Sequence, residues 1–358
     1  MTGDLALSIV ADHYRFVVGV DTHAATHSYA IIECPSGRVT DESSFPTSAT
    51  GLTRAATWLA RRTHGEVDGV LIAAEGTGSY GAVLSERLER IGYRVVEAPA
   101  PSSKRLRNKG KTDALDALTA ARATLTTEMQ HLCDRRRGQV RAALNVLSVA
   151  REQMNTDRTR CINALTALVR AHDLGIDARR ALTAAQIATI AGWRSRAEPL
   201  GVAVARTEAV RQARRIGELD TQLDDNRDQL TELVNEHAPQ LLSLFGVGAV
   251  TAAVILTVWS HPGRIKTEAA LAKIAGTCPI PASSGNTIRH RLNRGGDRRL
   301  NRVINTVVLT RMRADEATRA YVRRRLAEGR TQREIRRCLK RYITRQIFRT
   351  LTQISPGT

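Results

Sequence analysis

The sequence predicts an α/β plus α architecture, a sheet domain followed by a long helical remainder, from three observations. Residues 1–100 alternate short β-branched runs with amphipathic stretches. Residues 112–238 carry long stretches of helical period interrupted by one proline, Pro199. Hydrophobic residues make up 42% of the chain but aromatics only 4%, which suits helices packed by small aliphatic side chains.

The elements follow in order. Phe16–Val20, Ser28–Glu33 and Arg38–Phe45 read as strands, and the Pro35-Ser36-Gly37 turn makes them a meander. A helix over Gly51–Arg62, a buried strand over Val67–Ala74, a helix over Tyr80–Ile91 and a strand over Tyr93–Glu97 come next. Three antiparallel strands and then alternating helix and strand is the order of an RNase H-like sheet. Pro99–Lys111 is a basic loop with Lys104, Arg105, Arg107, Lys109 and Lys111 and no acid, so it reads as nucleic-acid contact rather than core. Arg135–Val169 and Val204–Val234 read as two long antiparallel helices. Their narrow apolar stripes (Leu144, Leu147, Ala150, Met154; Leu219, Leu223, Leu230, Leu233) suit a coiled coil and pairing with a second copy. Their Arg and Asp residues read as solvated faces. Leu244-Phe245-Gly246-Val247-Gly248 reads as a helix-hairpin-helix-like turn in which Gly246 and Gly248 let backbone approach phosphate. Helices over Glu268–Ala275, Arg298–Arg313 and Thr331–Leu351 complete the chain. The expected domains are 1–130 for the sheet, 131–238 for the long helices and 239–358 for the basic C-terminal part.

At 358 residues the chain is long enough for more than one core. Its formal charge of +19 attracts polyanions, and residues 285–358, with 20 Lys and Arg against 5 Asp and Glu, carry most of it. Arg323-Arg324-Arg325 and Arg336-Arg337 read as phosphate contacts, and the shortage of aromatics argues against base stacking. The five cysteines are scattered without metal-ligand or disulfide spacing. No stretch is apolar for long enough to span a bilayer, and the N-terminus lacks a signal-peptide pattern. A soluble, cytoplasmic, nucleoid-associated protein without membrane partners is expected.

Asp21 follows directly on the first strand and Glu75 follows directly on the strand ending at Ala74, so both fall at strand ends that neighbour each other in an RNase H-like sheet. Asp113 and Asp116, spaced i,i+3 at a helix start, share one helix face. Each acid alone has an ordinary explanation as a cap or a helix N-terminal charge. Together they form a set suited to hard divalent cations, expected as two Mg²⁺ ions with Mn²⁺ as substitute, for phosphodiester chemistry. His23 and His27 lie near the acids in sequence and are candidates to join the site, although surface-turn histidines are the preferred reading.

These residues carry a resemblance. Val18–His23, Glu75–Gly81, Lys111–Ala117, Leu244–Ala253 and Ser283-Ser284-Gly285 with the basic stretch Arg289–Arg302 resemble the insertion sequence 110 family of DEDD transposases, across nearly the whole chain. The resemblance implies a RuvC-like domain with Asp21, Glu75, Asp113 and Asp116 as metal-binding catalytic acids, and a C-terminal transposase domain in which Ser284 attacks a DNA phosphate to form a phosphoserine. Residue chemistry alone does not separate Ser284 from Ser283. Nucleic-acid contacts are expected at Arg289, Arg291, Arg294, Arg298 and Arg299. Members act on donor and target DNA as dimers or tetramers, and many use a noncoding bridge RNA. Ala24 and Phe245 depart from residues common in relatives, outside the acids and the serine. Two alternatives stand beside this reading: a RuvC-type structure-selective endonuclease working by hydrolysis, and a catalytically inactive nucleic-acid-binding protein that keeps the fold.

Overall fold

A computed structural model describes residues 8–99, 112–281, 290–291, 293 and 295–354. It divides into two compact units, residues 1–136 and 137–358, so the long helices share a unit with the residues that follow them.

In the first unit the elements are β1 (Phe16–Thr22), β2 (Thr26–Glu33), β3 (Arg38–Pro46), α1 (Ala49–Arg62), β4 (Val70–Ala74), α2 (Ala82–Ile91), β5 (Arg94–Glu97), α3 (Asp113–Leu125) and β6 (Cys133–Asp134). The predicted meander and alternation are present. The sheet order is β3-β2-β1-β4-β5-β6, with β1 antiparallel to β2 and parallel to β4. The short edge strand β6 was not anticipated; two residues carry no periodicity.

Strand alternation divides the core between the two faces of the sheet. Phe16, Val18, Val20, Tyr29, Ile31 and Ile72 pack with Leu52, Ala55 and Leu59 of α1 and Leu84 and Leu88 of α2. Val17, Ile32, Leu71, Ala73 and Val96 pack with Ala121 and Leu125 of α3. Burying a Val, Leu or Ile side chain contributes about 1.5–3 kcal/mol, and with both faces covered the central strands read as apolar runs without alternation.

The second unit contains α4 (Gln139–Ala171), α5 (Ala184–Ala191), α6 (Leu200–His237), α7 (Pro239–Leu242), α8 (Ala249–Trp259), α9 (Glu268–Ile274), the strand pair β7 (Ile280–Pro281) and β8 (His290–Arg291), α10 (Arg298–Ala314), α11 (Glu316–Ala327) and α12 (Gln332–Gln353). The α4 and α6 helices run antiparallel: Asn226 donates to the Leu147 carbonyl at 3.0 Å, and further out Arg158 pairs with Asp220. Leu144, Leu219, Leu223 and Leu230 are buried as their spacing predicts. Ala150, however, is exposed, and Ser148 is buried in its region. The seam is partly polar, because Arg151 donates to the Leu223 carbonyl at 2.6 Å and to Asn226. Arg151, Arg158 and Asp220 therefore join the two helices rather than forming only solvated faces. Helix α8, apolar almost all round, is enclosed within the core that also takes Leu230, Val234, Ile304, Val307, Ile343 and Ile347.

Candidate active site at the carboxyl edge of the sheet

Side-chain alternation puts Val17, Gly19 and Asp21 on the face of β1 that α3 covers. Asp21 is 5% exposed, and its register is fixed opposite Ser28 of β2. The Glu75 N–H donates to the Val20 carbonyl at 2.9 Å, and the Thr22 hydroxyl donates to the Glu75 carbonyl at 2.9 Å. The backbone of Glu75 is thus clamped beside the end of β1.

Helix α3 reaches this edge because Gly19 has no side chain. A Cβ there would stand 1.9 Å from the Ala117 carbonyl oxygen and 2.6 Å from the Ala121 nitrogen, so helix backbone lies directly on strand backbone. Thr112 caps the helix by accepting from the Leu115 N–H at 3.4 Å. Asp113 and Asp116 occupy its first turn, where the helix dipole favours negative charge.

The imidazole Nε2 of His23 lies 3.0 Å from Asp21 Oδ2 and 3.4 Å from Asp113 Oδ1. One ligand atom from each of Asp21, His23 and Asp113 lies within 4.8 Å of the others. Carboxylates this close repel unless a positive charge stands between them. The oxygen donors, one side chain buried and one exposed, fit a hard divalent cation with an open solvent side. Asp116 is one turn along α3 from Asp113, and Glu75 is at the adjoining strand end. Backbone position therefore puts all four predicted acids at one edge, and the close cluster is formed by Asp21 and Asp113 with His23.

His23 is indeed a half-exposed turn residue, but it faces the acids, and the Asp-x-His spacing at a strand end is the signal that marks it. His27 does not lie in a surface turn. It sits in β2 opposite Thr22, only 1% exposed, with Nδ1 lacking a hydrogen-bond partner, and burial lowers its pKa so that the neutral ring is favoured. Glu97, at the end of β5, accepts from Thr77 at 3.1 Å and is a further acid near this edge that the sequence reading did not single out.

Of the C-terminal candidates, Ser284, Ser283, Arg289 and Arg294 lie outside the described residues, as do Lys104, Arg105, Arg107, Lys109 and Lys111 of the basic loop. Gly246 has φ +81° in the turn between α7 and α8, a left-handed conformation that favours glycine, and Gly248 is the residue before α8. Arg291 is exposed on β8. Arg298 and Arg299 begin α10, with Arg299 bonded to Glu152 at 3.1 Å.

Residues 18–172 match the IS110-type DEDD family described as transposase, and residues 238–323 match the family described as Transposase IS116/IS110/IS902. A 43.6 kDa protein of insertion element IS110 from Streptomyces coelicolor is 39% identical over 106 residues, which is 29% of this chain and 26% of that relative. A 42 kDa protein of insertion element IS900 from Mycobacterium paratuberculosis is 28% identical over 360 residues, covering 87% of this chain and 89% of the relative. The two family matches define the class, a transposase. The chain belongs to the IS110 family of DEDD transposases, enzymes of DNA transposition. Among the described residues no helix is long and apolar enough to cross a membrane.

Proposed function

We propose that this chain cuts and rejoins DNA strands with two catalytic parts. Asp21, Glu75, Asp113 and Asp116 hold divalent metal, Mg²⁺ as two ions, and Ser284 acts as nucleophile. The observation that carries the reading is the approach of the Asp21 and Asp113 carboxylates to within 4.8 Å, across a strand-to-helix contact that requires Gly19. Bound there, the metal supplies charge stabilisation to a phosphodiester undergoing displacement. The acids orient that phosphate, and the buried position of Asp21 restricts water on one side.

In the covalent step the Ser284 Oγ–P bond forms as the P–O bond to the departing strand breaks. The hydroxyl proton lost by serine is matched by one gained at the departing oxygen. Attack by another strand's hydroxyl reverses the exchange, so bond energy is conserved and no water is consumed. The glycine turn at Gly246 and Gly248 acts as a helix-hairpin-helix-like backbone contact to DNA. The basic residues Lys104, Arg105, Arg107, Lys109, Lys111, Arg289, Arg291, Arg294, Arg298 and Arg299 hold phosphates. The α4–α6 pair serves as a coiled-coil surface for dimers and tetramers, and a bridge RNA selects donor and target.

The test is to trap a protein–DNA adduct on denaturing gels, using the full chain, labelled element-end DNA, its flanking RNA and Mg²⁺. Loss of the adduct in both Ser284→Ala and Asp113→Ala is expected. Cleavage that survives Ser284→Ala but not Asp113→Ala overturns the serine step in favour of hydrolysis.

A further inference from the structure

The second unit contains a cavity of about 1030 Å³ between α12, the end of α11 and the segment after α9. Seven cationic side chains line it: Arg291, Arg325, Arg330, Arg337, Lys340, Arg341 and Arg345. One carboxylate, Glu334, joins them, and it is committed to the backbone N–H and hydroxyl of Thr331 at 2.9 Å each. Helix α12 explains the arrangement. Ile335, Leu339, Ile343 and Ile347, four apart, face the core, while Arg337, Arg341 and Arg345 at the same spacing face the cavity.

Among the described residues the carboxylates near this cavity are fewer than its cations. Behind the wall Glu268 is shared by Arg341 at 2.6 Å and Arg345 at 2.9 Å, and Glu328 pairs with Arg325. Counting both, the cations still exceed the carboxylates by four. Lys340 has no carboxylate partner among the described residues; its ammonium donates to the Asn301 side-chain oxygen at 3.0 Å. Burial, and then the charge of Arg336, lower its pKa. Arg341 Nη1 and Arg325 Nε are buried donors without acceptors. Unpaired buried donors and crowded like charges are each costly, and a bound polyanion relieves both.

We propose that this cavity is a binding site for the phosphodiester backbone of a DNA strand, with Lys340, Arg330 and Arg341 as its principal phosphate donors. The choice of DNA rests on the proposed function. Pro279 and Arg291, on the wall, flank in sequence the segment that carries Ser284. Tyr342, 49% exposed on the rim, holds the Arg345 guanidinium over its ring at 5.9 Å and so helps to keep that cation at the cavity.

The experiment measures binding in the full chain carrying Ser284→Ala, which cannot form an adduct. Binding and the serine step are thereby read separately, and failure of either leaves the other standing. Anisotropy of a fluorescein-labelled DNA duplex of about forty base pairs is followed across KCl concentrations, in parallel with RNA of the same sequence and with inorganic phosphate as competitor. Lys340→Gln with Arg330→Gln is expected to weaken DNA binding about tenfold, and to lower the log–log salt slope by about 0.9 for each phosphate contact removed. Arg313→Gln with Arg349→Gln removes the same charge from exposed positions off the cavity and is expected to leave the slope nearly unchanged. Circular dichroism melting checks folding, and Arg330→Gln alone, at an exposed position, carries the test if the double variant is unstable. An equal effect of the two pairs, an unchanged slope, or an effect confined to RNA or to inorganic phosphate overturns the proposal.

Discussion

The acidic edge of the sheet and the cationic cavity of the second unit are built by opposite means. At the edge, backbone does the positioning: strand register fixes Asp21, the Val20–Glu75 hydrogen bond fixes the turn, and contact at Gly19 seats the helix that carries Asp113. In the cavity, long flexible side chains from α12 and its neighbours converge on one volume. Short side chains on a rigid frame set distances to a fraction of an ångström. Long cations on a helix set only a field, and a field tolerates displacement.

The largest expected effect breaks the frame itself. Gly19→Val forces α3 off β1, and overpacking of this kind costs about 3 kcal/mol. Chemical denaturation is expected to show that loss, with strand exchange abolished even in molecules that stay folded. A smaller change sharpens the contrast: Asp113→Glu keeps the charge but moves the carboxylate by about one ångström, a misplacement that costs about 10²-fold in rate. Its turnover is expected to fall by that amount with melting temperature unchanged.

The third prediction tests a geometrically strict ion pair inside the otherwise tolerant second unit. Glu198 is held down to about 2 by its hydrogen bond to Arg206 and then by Arg196, against an ordinary value of 4.5. A depressed carboxylate pKa gives stability that is fully present above 4.5 and is lost as pH falls towards 2. Acid unfolding monitored by circular dichroism is expected to lose part of this limb in Glu198→Gln, whereas an unchanged acid profile refutes the contribution. The smallest effect is expected for Lys340→Arg, which keeps the cavity's charge. DNA affinity should stay within about threefold, since phosphate contacts of this kind are electrostatic and carry little directional demand. A loss as large as that of Lys340→Gln would show the cavity to be a shaped site after all.

The same division explains what was legible in the sequence. Strands β1 to β5 and helices α1 to α3 follow from β-branched runs, turn residues and apolar period, and the four acids were singled out because the predicted topology places their backbones at one edge. His23 was underweighted because only coordinates show Asp113 arriving on its other side. Helix α11 was missed because its residues, Glu316–Ala327, are mostly charged or small and give little apolar stripe. The eight-residue α5 was missed although its capping box, Thr183 with Gln186, was readable. Basic residues of the C-terminal part were recognised as phosphate contacts in general, but sequence could not say which of them point together. Within Arg323-Arg324-Arg325, Arg323 pairs with Glu316 and Arg324 lies over the Tyr321 ring, while Arg325 lines the cavity.

The seating of α3 on β1 also acts as a mechanical stop. With helix carbonyl and strand Cα already at contact, the helix can withdraw from the sheet but cannot advance. Any closer approach of the Asp21 and Asp113 carboxylates is therefore left to rotation of their side chains rather than to an advance of the main chain.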